Sequence, residues 1–191
     1  MDITKFITQQ LSNPKTLSLL GQKINAKPSQ VKEAAQLGIP TLLQALTRNT
    51  SSQQGARSLA KALDDHQDDN IDDIESFLDH LDPDDAKKML KHILADKSDR
   101  VQTNVAKKTG LQTDQVSNLM TQLAPLLMGA LAKQKREEKV DENGLQGLLG
   151  GLLNQGGGND LMGMVSNLLD ADDDGNVMDD VGGLLQGFFK K

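Results

Sequence analysis

The chain has 191 residues, 37% of them hydrophobic, with no cysteine, tryptophan or tyrosine and only four phenylalanines. Its length allows one good core or two small ones, and the missing cysteines exclude a disulfide framework, a zinc–thiolate site and a thiol nucleophile. The net charge of −6 divides unevenly: residues 1–63 hold eight basic and two acidic side chains, residues 64–99 thirteen acids and four lysines.

These two stretches are expected to attract each other or to meet a charged partner. Nucleic acid is not an expected partner, because the lysines are scattered and no aromatic platform can stack bases. Met1 to Leu11 has no basic region ahead of an apolar one, so no secretory signal is read there. No run approaches the ~20 apolar residues of a membrane span, and the cytoplasm is the expected compartment. Leu- and Ala-rich segments with i, i+3, i+4 spacing point to helices, and no alternating run is long enough for a sheet. The expected fold class is all-α.

In chain order, Ile3, Phe6, Ile7 and Leu11 predict a short amphipathic helix stopped by Ser12-Asn13-Pro14. Leu17, Leu20 and Ile24 make a second stripe. Lys27-Pro28-Ser29 introduces a third helix, with Ser29 the expected N-cap. It runs through Val31, Ala34 and Ala35 toward Leu46, and Gly38-Ile39-Pro40 is expected to kink or split it. The same pattern recurs 85 residues on: Gln30-Val31, Pro40, Leu42 and Ala45-Leu46 match Gln115-Val116, Pro125, Leu127 and Ala130-Leu131. Proline inside both helices is hard to attribute to chance, so an internal duplication is expected.

Between the copies lies an acidic loop, Leu63 to Ile74, followed by a helical stripe of Ile74, Phe77, Leu78 and Leu81 that ends at Asp82-Pro83. Asp84 or Asp85 is expected to open a helix through Met89, Leu90, Ile93 and Leu94, and Asp99 another containing Val101 and Val105, ended by Gly110. Residues 133–144 read as a solvated helix end and linker. In 144–158, Leu145, Leu148, Leu149, Leu152 and Leu153 keep helical spacing among glycines. Each glycine costs roughly 1 kcal/mol in a helix, so this one forms only if its leucines find a partner surface. The expected organisation is 1–99, a first helical repeat with a degraded acidic loop; 100–135, the second repeat's helices; 136–160, a charged then Gly/Leu-rich linker; and 161–191, a helix–loop–helix.

That last unit carries the most specific chemistry. In Leu169-Asp-Ala-Asp-Asp-Asp-Gly-Asn-Val-Met-Asp-Asp180, Asp170, Asp172 and Asp174 take positions 1, 3 and 5 of an EF-hand- or dockerin-like loop. Gly175 stands at the sharp bend, and Asn176 offers a carbonyl at position 7. Position 12, usually a bidentate Glu, is Val181, so Asp180 is preferred to Asp179 as the closing carboxylate. Calcium, a hard cation taking six to eight oxygens, is the cofactor such residues would hold. The competing reading is a plain acidic turn in which Asp179 and Asp180 cap the next helix. The loop at 63–74 resembles this one after a register shift, with Asp64 for Asp170 and Asp68 for Asp174. There His66 replaces Asp172 and Asp69 replaces Gly175, so it reads as a degraded or structural copy.

The duplicated proline-containing helices, the Leu/Gly-rich stretch and LDADDDGNVMDD followed by GLLQGFF resemble the bacterial family called domain of unknown function 937. The resemblance runs from about Leu17 through Lys191 and implies bacterial origin, a helical fold and no established activity.

Catalysis is not expected. His66, His80 and His92 give no i, i+4 ligand pair and read as solvated side chains. No nucleophile elbow, phosphate loop or dinucleotide fingerprint is present. The expected function is a non-catalytic binding module for a protein partner, with a weak calcium-type site at 170–180. The alternative is a membrane-surface protein using Leu145–Leu153 and Val181–Phe189 as interfacial helices. Their polar faces carry Gly, Gln and Asp rather than bases, which favours core packing for both.

Overall fold

Two long helices with a proline in each form the centre of the molecule, and every other helix is arranged around them. The computed structural model describes residues 3–156, and among these there is no β-strand. Short helices α1 (Ile3–Gln10) and α2 (Pro14–Ile24) lead into the first long helix, α3 (Pro28–Asn49). Then come α4 (Gln53–Asp65), α5 (Ile74–Asp79) and α6 (Pro83–Leu94); a 3-10 turn, Ala95–Lys97, joins α6 to α7 (Ser98–Thr109). The second long helix is α8 (Thr113–Glu138), followed by α9 (Leu145–Gly156). The long helices pack on each other, with α2 against both, α6 and α7 along α8, α4 mainly on α8, and α9 on α3. On these two helices Leu42, Leu119, Met120, Leu123, Leu127 and Leu131 are fully buried.

Neither proline splits its helix: α3 is continuous through Pro40 and α8 through Pro125. An interior proline costs about 3 kcal/mol, and full burial of a leucine returns roughly 1.5–3 kcal/mol. The leucines flanking each proline therefore outweigh it.

The helix starts differ in detail from the sequence expectation, for one physical reason. Proline fits the first helical position, where no N–H is needed, so the cap falls on the residue before it. Lys27 rather than Ser29 precedes α3. Asp82 rather than Asp84 or Asp85 caps α6, its Oδ1 accepting from Asp84 N at 2.9 Å. The helix α7 opens at Ser98 straight from the 3-10 turn, with Asp99 in its first turn. At the junction with α6, Ala95 holds φ 50°, ψ −127°, a conformation that favours glycine.

The 85-residue register runs through the local geometry. α2 ends on Asn25 and α7 on Gly110, both left-handed, at φ 54° and 68°. In both long helices the glutamine at the third helical position accepts from the N-cap N–H: Gln30 from Lys27 at 3.4 Å, Gln115 from Gln112 at 2.9 Å. The amide nitrogens of the same glutamines then cross over. Gln115 Nε2 donates to Asn25 O at 2.6 Å and Ile24 O at 3.1 Å, and Gln30 Nε2 donates to Gly110 O at 3.4 Å. Gly38 faces Leu123, 85 residues on; a β-carbon on Gly38 would lie 3.7 Å from Leu123 Cδ1.

The stretch expected as a linker, 136–160, is over its described part the end of α8, a turn and the helix α9. In the turn, Asp141 Oδ1 accepts from Asn143 N and Gly144 N at 3.1 and 2.9 Å. In α9 the four leucines at 145, 149, 152 and 153 are buried in the core, while Gly147, Gly150 and Gly151 point into open space. Four buried leucines at roughly 1.5–3 kcal/mol each exceed three glycines at roughly 1 kcal/mol each. The partner surface that the helix requires is α3.

Candidate functional site

Asp64 and Asp65 end α4, and residues 66–73 then cross without regular structure to α5. A single apolar side chain, Ile71, anchors this loop at 1% exposure. It sits over Gly129 of α8, where no β-carbon intervenes. Around this anchor the basic end of α8 takes the loop's carboxylates. Lys135 Nζ lies 2.6 Å from Asp64 Oδ1, and Lys133 Nζ 2.7 Å from Asp72 Oδ2. The Arg136 guanidinium donates to Gln67 O at 2.9 Å and stands 3.5 Å from Asp68. The side chains of Asp64, Asp72 and Asp68 remain 59%, 66% and 90% exposed, so each pair contributes at most about 1 kcal/mol. Burial of Ile71, at roughly 1.5–3 kcal/mol, holds the loop more firmly than any one of them.

Beside the loop opens a cleft of about 330 Å³ between α5, α6 and the Pro125 region of α8. Its apolar side is Phe77, Leu81, Ala86 and Met89; its polar border includes Asp69, Asp82 and Asp85. Two of the three histidines line it. His66 Nδ1 lies 2.9 Å from Asp69 Oδ2, and His80 Nδ1 lies 2.7 Å from the Ser76 carbonyl oxygen. His66 is half-buried and paired, whereas sequence alone reads it as solvated; His80 and His92 are exposed.

Among the described residues no group of three or more His, Asp or Glu side chains converges to hold a metal ion. The residues expected to hold calcium, Asp170, Asp172, Asp174, Asn176 and Asp180, lie outside the described residues, as does the whole unit 161–191.

The attraction between the two charged stretches is realised by Lys23 and Asp79, 2.9 Å apart. The clasp from Lys133, Lys135 and Arg136 is a set of contacts that the sequence does not announce. Its only sequence signal is acids at 64, 68 and 72 matched by bases grouped within one turn near the end of α8. Among the described residues, no helix is long and apolar enough to cross a membrane.

A family model described as Bacterial protein of unknown function (DUF937) matches residues 7–134. The match runs from α1 through most of α8, includes the clasped loop and ends before α9 and the aspartate-rich loop at 170–180. No curated protein and no solved structure matches the chain.

Proposed function

The chain belongs to this bacterial family of unknown function, and from that premise we propose a non-catalytic helical binding module, built on a duplicated unit and completed by a weak calcium-type site at 170–180. The observation that carries the calcium reading is the contrast between the two acidic loops. Carboxylates brought together need a compensating charge. In the first loop Lys133, Lys135 and Arg136 supply it from α8, and the loop carries no glycine at its bend. The second loop has the alternating Asp170, Asp172 and Asp174, Gly175 at the bend, and no basic residue between 157 and 189. A bound cation fills the role that α8 fills for the first.

The duplicated unit has its support in the caps 85 residues apart and in the crossed glutamine bonds. The polar atoms of this unit are spent on helix ends, which suits a scaffold presenting a site held elsewhere on the chain.

Calorimetric titration of the full chain with calcium, against magnesium at equal ionic strength, tests the reading. Saturable heat specific to calcium and abolished by Asp172→Asn is the expected result. No heat, or heat as large with magnesium, leaves the acidic turn with Asp179 and Asp180 as helix caps. The membrane-surface alternative has less support, since the leucines of α9 are turned toward α3 and its outward face is glycine. Flotation of the full chain with anionic liposomes separates the two readings.

A further inference from the structure

The cleft between α5 and α6 combines two features that rarely serve a stable fold by themselves. Phe77, Leu81 and Met89 are only partly covered, although they pack against the core. Asp82 and Asp85 border them, both exposed, and no lysine or arginine lines the cleft. Clefts elsewhere on the described surface contain cations: Lys15 in one, Lys87 and Lys91 in another, Lys135 and Arg136 in a third. At about 330 Å³ the cleft falls at the lower end of ligand-pocket size, roughly 300–1,000 Å³. An apolar floor with an acidic border that no lysine or arginine faces suits a segment whose apolar side chains are followed directly by cations.

The stretch 157–191 contains one such segment. Residues 184–191 read Leu-Leu-Gln-Gly-Phe-Phe-Lys-Lys, with two of the four phenylalanines of the protein next to Lys190 and Lys191. These lysines are the only basic residues in 157–191, so the sole cations of that stretch adjoin its sole aromatics. We propose that residues 184–191 dock into the α5–α6 cleft, Phe188 and Phe189 against Phe77, Leu81 and Met89, and Lys190 and Lys191 against Asp82 and Asp85. Reach does not limit the choice of face. The 27 residues between 156 and 184 span about 40 Å even if wholly helical and up to about 90 Å when extended, against a radius of gyration of about 15 Å for a body of this size. Chemistry therefore selects the cleft. The proposal is independent of the calcium site, which involves residues 170–180.

Because the protein has no cysteine, a disulfide can be introduced as the reporter in the full chain. Ser76, exposed at the cleft, is replaced in the pair Ser76→Cys with Gly187→Cys. The control pair is Lys108→Cys with Gly187→Cys, Lys108 being exposed on α7 and not part of the cleft's lining. Under mild oxidation the cleft pair is expected to close within one molecule about tenfold faster than the control, as a docked segment has the higher effective concentration. Adding Phe188→Ser and Phe189→Ser, or Asp85→Lys, is expected to return it to the control rate. Equal rates for both pairs, or a rate unmoved by the phenylalanine changes, would overturn the proposal. So would a disulfide between two molecules in place of the internal one, which would make a second copy the occupant. Circular dichroism of each reduced variant establishes that the helical body is intact.

Discussion

Gly129 and Ile71 share a space that a single methyl group would fill: a β-carbon on Gly129 would lie 2.6 Å from Ile71 Cγ2 and 3.5 Å from Asp69 Cβ. The glycine weakens α8 so that the acidic loop can lie flat on it. Two effects oppose each other in Gly129→Ala. Helix propensity favours alanine by about 1 kcal/mol, and overpacking against a stiff β-branched side chain costs roughly 1–3 kcal/mol. The expected outcome is a net loss of about 1 kcal/mol in urea unfolding. In an Ile71→Ala background the same change is expected to be neutral or stabilising. A loss of equal size in both backgrounds would show that the two residues do not interact.

Ile71→Ala is expected to cost about 2–5 kcal/mol, whereas Lys133→Ala, Lys135→Ala and Arg136→Ala are each expected to cost at most about 1 kcal/mol, because their partners are exposed. High salt should erase the lysine effects and leave the isoleucine effect. If the lysine variants prove the costlier ones, the loop is held by charge instead.

Ala95→Gly is expected to stabilise the protein. Relief of the backbone at φ 50°, ψ −127° is worth about 1–3 kcal/mol, and the added freedom of the unfolded chain costs about 0.4–1 kcal/mol. The sign is positive across most of that range. A lowered melting temperature would mean that alanine sits there without strain.

The crossed glutamines differ in quality, and their variants should rank accordingly. Gln115 Nε2 makes bonds of 2.6 and 3.1 Å, Gln30 Nε2 one of 3.4 Å. Gln115→Ala is expected to cost about 1–2 kcal/mol and Gln30→Ala less than about 0.5 kcal/mol. Equal effects would overturn that ranking.

For the loop at 170–180, a Kd of about 10⁻⁵ to 10⁻³ M is expected, as Asp180 is shorter than the usual Glu and stands one position early. Calcium at one hundred times Kd then adds about 2.7 kcal/mol of stability. With no Trp or Tyr, circular dichroism must follow the melt. Asp172→Asn should remove the calcium-specific shift, and Asp68→Asn in the clasped loop should leave it unchanged. A melting temperature indifferent to millimolar calcium would leave the capped turn as the reading.

Helix positions were legible in the sequence where one residue type imposes its own geometry. Pro40 and Pro125 each lie inside a long helix, Gly110 ends α7, and the stripe of Leu17, Leu20 and Ile24 faces the core. Where the outcome depends on a distant surface, sequence alone misleads. The glycines of 144–158 declare their entropy cost locally, while the α3 surface that repays Leu145 and Leu149 lies about a hundred residues earlier. The clasp is hidden for the same reason: Asp64 and Lys135 are separated by 71 residues, and nothing in either stretch names the other. The acidic loop at 170–180 was legible as a ligand pattern, and its residues lie outside the described ones.

The crossed glutamines also bear on how the chain folds. Gln30 must find a carbonyl 80 residues ahead, and Gln115 one 90 residues behind. Contacts of that separation form late, since the loop they close costs entropy before it is rewarded. The carbonyls at the two left-handed helix ends gain these glutamine partners only once both halves have met. The two halves should therefore melt in one transition and exchange their deepest amides at one common rate, and a nick between them should leave the pieces together.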